Sequence, residues 1–292
     1  MVYLLSGSKE IPESYIAQLL LKQNTLVKVL ANTAEDKKYY QGISPELQIV
    51  EGSLEDVFSL DEALSSIDMV IHSNMDIKEE RFEKMRHSYV EKTTNLVNLC
   101  LLKTVKLCYI GSVLALGVVK KQVDDIDENF KWENQPLQTD RHRIANLAET
   151  EVWRGIEEGL EALIINSTLC LSPKLDFQGS LSAIKKNGQL KVSYTDVRDL
   201  AAATLQLLDA NEVNKKVIVD TGKMPLSKFT ELNTSSNGSR FGLFQSGKQK
   251  LLATFGIENL IDINYKSKHP LMQNFQFRSM EDTCSWISPT TT

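Results

Sequence analysis

Val2-Tyr3-Leu4-Leu5-Ser6-Gly7 opens the chain, and a stretch from Pro12 to Leu21 with its apolar residues on one helical face follows it. Four consecutive strand formers running into Ser-Gly predict a buried strand, a turn and a helix in succession. Outward from this unit the alternation repeats. Leu26-Val27-Lys28-Val29-Leu30 is a second strand, Glu35 to Tyr40 a short polar crossover, and Leu47-Gln48-Ile49-Val50 a third strand. A helix over Leu60 to Ile67 precedes a fourth strand at Asp68-Met69-Val70-Ile71-His72. A long helix from Arg81 to Leu102 precedes a fifth at Lys106-Leu107-Cys108-Tyr109-Ile110, which runs into Gly111-Ser112. Strands and helices alternating at this spacing need right-handed crossovers, so the expected class is α/β with a doubly wound parallel sheet covered on both faces.

Beyond Ser112 the pattern loosens. Val123 to Gln138 is acidic and carries Trp132, Asn134 and Pro136, which predicts a loop over the carboxyl ends of the strands. A helix from Arg141 to Gly159, a strand at Ala162 to Asn166, a helix at Asp199 to Leu208 and a strand at Val217 to Asp220 complete the regular part. Asn233 to Gly247 is dense in Ser, Asn and Gly and reads as a loop, before an irregular C-terminal region ending in Phe277 to Ile287.

The chain has 292 residues, 42% hydrophobic and 24% charged, close to globular averages, which disfavours disorder and coiled coil. Lys and Arg number 33 against 38 Asp and Glu, for a net charge of -5 without a basic stripe. Neither nucleic acid nor an anionic membrane is an expected partner. Apolar runs such as Val113 to Val119 fall far short of the ~18 residues that span a bilayer, and the first residues lack a secretory signal pattern, so a cytoplasmic protein is expected. Cys100, Cys108, Cys170 and Cys284 stand singly, without metal-ligand spacing, so no metal is expected.

The order of these pieces resembles the extended short-chain dehydrogenase/reductase family, in its NAD-dependent epimerase/dehydratase group and dihydroflavonol-reductase-like branch. Leu4-Leu5-Ser6-Gly7 is similar to the opening of the T-G-x-x-G-x-x-G loop, and Gly52-Ser53-Leu54-Glu55-Asp56 to the G-D-L-x-D turn. Asp68 to His72 resembles D-x-V-x-H, Val90 to Asn95 resembles V-x-G-T-x-N, and Tyr109-Ile110-Gly111-Ser112 the strand ending in the catalytic serine. Tyr194 to Ala201 and Phe277 to Thr283 resemble V-D-D-V-A and F-R-S-L-E-E-T. The resemblance implies a Rossmann-like core over residues 1–165. It also implies a smaller substrate-side lobe over 166–292, interleaved with the core because the strand and helix near 190–220 return to it.

Position by position, the resemblance places a dinucleotide along Gly7, Lys9, Glu10, Ile11, Asn32, Ser53, Leu54 and Ser73, and catalysis at Ser112 and a Tyr-x-x-x-Lys pair on the next helix. This sequence departs from that pattern. Counted from Gly7, the second and third glycine positions hold Glu10 and Glu13, two carboxylates where a pyrophosphate needs open space and positive potential. Glu near a helix N-terminus and Pro12 in its first turn are also ordinary stabilising choices. Leu30-Ala31-Asn32-Thr33 offers neither an Asp for a ribose hydroxyl nor an Arg for a 2′-phosphate. Ser53 replaces the turn's aspartate.

Aligning Asn146-Leu147-Ala148-Glu149 with the family's A-x-A-E puts Arg141 at the tyrosine position and Ala145 at the lysine position. Arginine stays protonated and alanine carries no charge, so neither shuttles a proton. A one-residue shift would offer His142 and Asn146 instead. Two functions therefore stand as expectations. One is a non-catalytic binding or assembly protein with no cofactor. The other is an NAD- or NADP-dependent oxidoreductase or epimerase/dehydratase with an altered site at Ser112, Arg141 and His142, acting on a small carbonyl or sugar-like substrate. The resemblance also implies a homodimer, or a heteromer with a homologue, paired through the helices Arg81 to Leu102 and Arg141 to Gly159, with Leu96, Leu99, Ile144 and Val152 as candidate apolar contacts.

Overall fold

The structure, a computed structural model, describes residues 1–7, 12–75, 77, 81–117, 125–130, 139–173, 191–228, 232 and 263–287. In chain order the strands are β1 (Val2–Ser6), β2 (Leu26–Ala31), β3 (Gln48–Glu51), β4 (Met69–Ser73) and β5 (Lys106–Ser112). They continue as β6 (Ala162–Ser167), β7 (Leu169–Leu171), β8 (Lys191–Asp196), β9 (Lys215–Val219) and β10 (Gly222–Pro225). Seven of them form one sheet in the order β3-β2-β1-β4-β5-β6-β9, every pairing parallel. This is a Rossmann-like fold, and the order reverses between β1 and β4.

The helices are α1 (Glu13–Lys22), α2 (Ala34–Gln41), α3 (Val57–Ala63) and α4 (Phe82–Met85), the last passing through a π-helical turn, Arg86–Glu91, into α5 (Lys92–Lys103). After them come α6 (Asp140–Glu157), α7 (Val197–Asp209), α8 (Pro270–Gln273) and α9 (Met280–Ile287). Successive strand residues point to opposite faces. Leu5, Cys108, Ile110, Leu163 and Ile165 therefore pack with Ile16 and Leu20 of α1 and Leu200 and Leu207 of α7. Leu4, Leu107, Tyr109 and Ile164 pack on the other face with Leu60 of α3, Leu96 and Val97 of α5 and Val152 of α6. Leu96, Leu99, Ile144 and Val152 are all buried within the chain, while Leu102 and Leu147 on the same helices stay exposed.

Several elements differ from the sequence expectation for identifiable reasons. The polar crossover at 34–41 is a helix because Thr33 and Asp36 form a reciprocal capping box at its start. The C-terminal region expected to be irregular carries α9, anchored on the start of α7. Asp196 caps α7 through the Arg198 N–H (2.8 Å) and accepts from the Thr283 hydroxyl (2.8 Å). Arg198 bridges Asp196 (2.7 Å) and Asp282 (2.9 Å) and lies 4.0 Å over the Trp286 ring. Asp199, fully buried, pairs with Arg278.

A second sheet, β10-β8-β7, lies over an apolar cluster that includes Val113, Leu116, Ile126, Tyr194, Ile218 and Tyr265. The acidic run is only partly a solvated face: Glu128 accepts from the Ile218 N–H (3.1 Å), the Lys268 N–H (2.9 Å) and the Ser267 hydroxyl, and Asp127 pairs with Lys268. The rest of the expected loop, 123–124 and 131–138, lies outside the described residues, as does the loop expected over Asn233 to Gly247. Among the described residues no helix is long and apolar enough to cross a membrane, and no group of His, Cys, Asp and Glu is placed to hold a metal ion.

The packing predicts a sharp contrast between two apolar positions. Ile164→Ala, at a fully buried site, loses about 2–5 kcal/mol of stability. Phe58→Ser, at a site 88% exposed, changes stability by less than about 0.5 kcal/mol. Urea denaturation of the two variants checks both.

Candidate functional site

The carboxyl ends of β1 and β4 lie side by side, with Ser6 opposite His72. Gly7 follows β1 at φ +139, and a side chain there would stand 2.3 Å from the Ser73 carbonyl oxygen and 2.9 Å from its nitrogen. Only glycine fits this approach. His72 is buried, its Nδ1 3.1 Å from both the carbonyl and the hydroxyl oxygen of Ser6, and burial pulls its pKa down to about 4. It is a neutral strand tie. Ser73 is buried at the end of β4 with its backbone against Gly7.

Glu13, at the third glycine position, is the first residue of α1 and is fully buried. Its Oε1 lies 2.5 Å from the point where a Gly7 Cβ would stand, so the carboxylate is folded back over the turn. Lys9, Glu10 and Ile11 lie outside the described residues. Farther along the same edge, Asn32 follows β2 with its side chain exposed and its N–H donating to Asp36 Oδ2 (3.1 Å). After β3, the Ser53 hydroxyl accepts from the Glu55 N–H (3.1 Å), and the Leu54 carbonyl accepts from Asn95 Nδ2 (2.9 Å). These positions follow the carboxyl edge that a dinucleotide uses in this topology. The strand order and the Gly7 cradle fit such a group. The Glu13 carboxylate, where it stands, does not fit a pyrophosphate.

Ser112 ends β5, pairs in register with Ser167 of β6, and caps a 3₁₀ turn by accepting from the Leu114 N–H (3.3 Å). Helix α6 packs on that turn. Ala145 is buried in a cluster with Leu114, Ala115 and Ile144, and Asn146 Nδ2 donates to the Ala115 carbonyl (3.1 Å). Arg141 is half-buried in the first turn of the helix. His142 is buried with Nδ1 2.5 Å from the capping Thr139 hydroxyl. Burial, with the nearby Arg141 charge, pulls its pKa down to about 4, so it is neutral across the physiological range. Both members of the shifted pair, His142 and Asn146, are thus engaged in holding the helix start. Farther along α6, Glu149 accepts from Asn166 Nδ2 (2.6 Å) and Trp153 Nε1 (3.1 Å) and lies 3.5 Å from Lys216, which ties the helix to β6 and β9.

The sequence reading missed two groups. One is Asn74, whose amide donates to Tyr89 O (3.3 Å) in the π-helical turn and to Tyr109 Oη (3.1 Å). The other is Asp220, just past β9, with Thr168 Oγ1 at 2.8 Å. Thr195 spends its hydroxyl proton on the Val219 carbonyl (2.8 Å), and Thr168 lies 2.8 Å from Thr195 Oγ1. The Thr168 hydroxyl donates to Asp220 Oδ1. Burial pushes the Asp220 pKa up to about 8, against the Thr168 bond and the Lys223 charge. The aspartate was visible after an apolar strand, but its partner Thr168, just past β6, has no sequence signature.

This acid makes stability depend on pH. The native state keeps a proton that the unfolded chain releases near its ordinary value of 3.8, so Asp220 lowers stability as pH rises from about 4 to about 8. His72 and His142 act oppositely, lowering stability as pH falls from 6.5 to about 4, because only the unfolded chain takes up their protons. Between pH 6.5 and 8, therefore, Asp220→Asn removes a loss that the native protein shows. Melting temperatures of both chains across that window check it, and parallel slopes would count against the protonated acid.

The comparisons agree with this architecture. A model of the 3-beta hydroxysteroid dehydrogenase/isomerase family matches residues 11–173. The chain is 22% identical to tetraketide alpha-pyrone reductase 2 of Arabidopsis thaliana, covering 79% of this chain and 81% of that one. In structure it is similar to the yeast methylglyoxal/isovaleraldehyde reductase Gre2 complexed with NADPH, with a TM-score of 0.73 at 16% identity over 98% of this chain and 97% of that one. It is also similar to the UDP-glucose 4-epimerase of Thermus thermophilus in complex with NAD, with a TM-score of 0.76 at 15% identity over 99% and 98%. These findings overturn the expectation of no cofactor. The thinned glycine turn pointed away from a dinucleotide, yet the same fold holds NADPH in one of these similar structures and NAD in the other. The chain belongs to the 3-beta hydroxysteroid dehydrogenase/isomerase family, within the extended short-chain dehydrogenase/reductase group.

Proposed function

We propose that this chain is a nicotinamide-dinucleotide-binding protein that does not run the proton transfer of a Tyr/Lys pair, and that it serves as a binding or assembly partner. The observation that carries the reading is the face of α6 turned to the Ser112 turn, where the two positions one helical turn apart are Arg141 and a buried Ala145. A phenol shuttles a proton at neutral pH only when a neighbouring cation lowers its pKa. Arginine cannot release its proton, and alanine has none to offer. A bound nicotinamide supplies a hydride donor or acceptor. Ser112 can orient an oxygen beside it, but the residues that would move the accompanying proton are replaced.

Cofactor binding is supported by the strand order, by the Gly7 approach and by relatives that hold NADPH and NAD in this fold. A ligand specific to the native state stabilises it by mass action, about 2.7 kcal/mol at a hundred times its dissociation constant. Thermal unfolding with millimolar NAD, NADH, NADP or NADPH should therefore show a raised melting temperature with at least one of them. In the same preparation, absorbance of the reduced nicotinamide should not fall with a panel of ketones, aldehydes and nucleotide sugars beyond the protein-free rate. Turnover abolished by Ser112→Ala would overturn the non-catalytic part. Unchanged melting with all four dinucleotides would overturn the binding part.

A further inference from the structure

The dinucleotide-binding reading leaves one disagreement inside the site. A pyrophosphate is held where unpaired amides at a helix N-terminus meet a glycine turn that lets the backbone come close. In this chain that meeting point is already occupied by an anion of its own. Glu13 is the first residue of the ten-residue helix α1, whose N-cap, Pro12, contributes no side-chain cap. The carboxylate is fully buried, not turned to water, and its Oε1 sits 2.5 Å from the space that Gly7 leaves open. Beyond the effect of burial, Glu13 helps to hold the Tyr40 phenol of α2 and the Cys170 thiol of β7 in their neutral forms. A negative group at a helix start is favoured by the same dipole that favours phosphate, so carboxylate and pyrophosphate compete for one position.

We infer that Glu13 sets the affinity of the dinucleotide site: its carboxylate holds the anion position at the start of α1, and a dinucleotide binds by displacing it. The inference rests on the dinucleotide-binding reading above. The side chain is a built-in competitor, so the site discriminates against low concentrations of dinucleotide without any change of fold. Removing the charge while keeping the shape relieves the repulsion, and removing the side chain also restores the space.

Isothermal titration of the full chain with NADH and NADPH tests this with a binding readout. Glu13→Gln and Glu13→Gly should each bind at least one dinucleotide about tenfold or more tightly than the natural chain, as expected when a like charge is removed from close range in a buried site. Glu46→Gln, an equal charge change at an exposed position, should bind as the natural chain does. Circular dichroism confirms that each variant is folded, and the isosteric Glu13→Gln decides the matter if Glu13→Gly unfolds. Binding by the natural chain with no gain in the Glu13 variants overturns the inference and leaves the dinucleotide reading standing. Absence of binding in every chain overturns both. An equal gain in Glu46→Gln also overturns it, because the effect would then be net charge and not the carboxylate at α1.

Discussion

Between β1 and β4 the order of the sheet reverses, and there the Ser73 backbone comes so close to Gly7 that no side chain fits. Everything distinctive about the candidate site depends on this approach. Parallel strands joined by right-handed crossovers put all their carboxyl ends on one edge, and the helices on either side of the reversal leave a crevice there. Because Gly7 turns the chain within that crevice, α1 begins inside it, and the residue at its first position is delivered into the crevice whatever its identity. In this chain that residue is a glutamate. A family frame and an unfamiliar occupant thus come from one local constraint.

At the other end of the edge, the serine turn and the helix packed on it are fixed by the fold itself. Ser112 still ends β5, and α6 still packs on the turn that follows. The helix is secured by contacts that have nothing to do with proton transfer: the Thr139 cap, the Asn146 amide on the Ala115 carbonyl, and Glu149 set among Asn166, Trp153 and Lys216. With the backbone held this firmly, Arg141 and Ala145 stand one helical turn apart near the start of α6 without disturbing the fold. The stability of the scaffold and the chemistry on it are physically separable here.

Two motifs that looked independent in the sequence are one structure. The Tyr194 to Ala201 segment places Asp196 and Asp199 at the start of α7, and the Phe277 to Thr283 segment brings Arg278 and Thr283 onto them. Two buried carboxylates would be costly alone, and the C-terminal segment supplies the cation and hydroxyl that satisfy them. This explains why two short patterns about eighty residues apart appear together, and why a C-terminal region with little periodicity of its own is held as a helix. Trp286, under the Arg198 guanidinium and edge-on to Tyr15 of α1, extends the clamp to α1.

Apolar runs of four to six residues alternating with amphipathic stretches were enough to determine the seven parallel strands and the class of the fold, since a strand buried on both faces has no other way to read. The spacing from Gly7 likewise placed Glu13 beside the turn after β1, because position along a helix or turn is a local property. What sequence could not decide is what depends on distant atoms. The carboxylate of Glu13 was expected beside an anion site, but its burial over Gly7 required β1, β4 and α1 to be assembled. His142 is held uncharged by its burial at the helix start and by the Arg141 charge beside it, which exist only in the assembled fold. Asp220 drew no attention as a strand-end aspartate, and it keeps its proton because the assembled fold buries it. Periodicity encodes which face is buried, while protonation and occupancy are set by what the fold brings within a few ångströms.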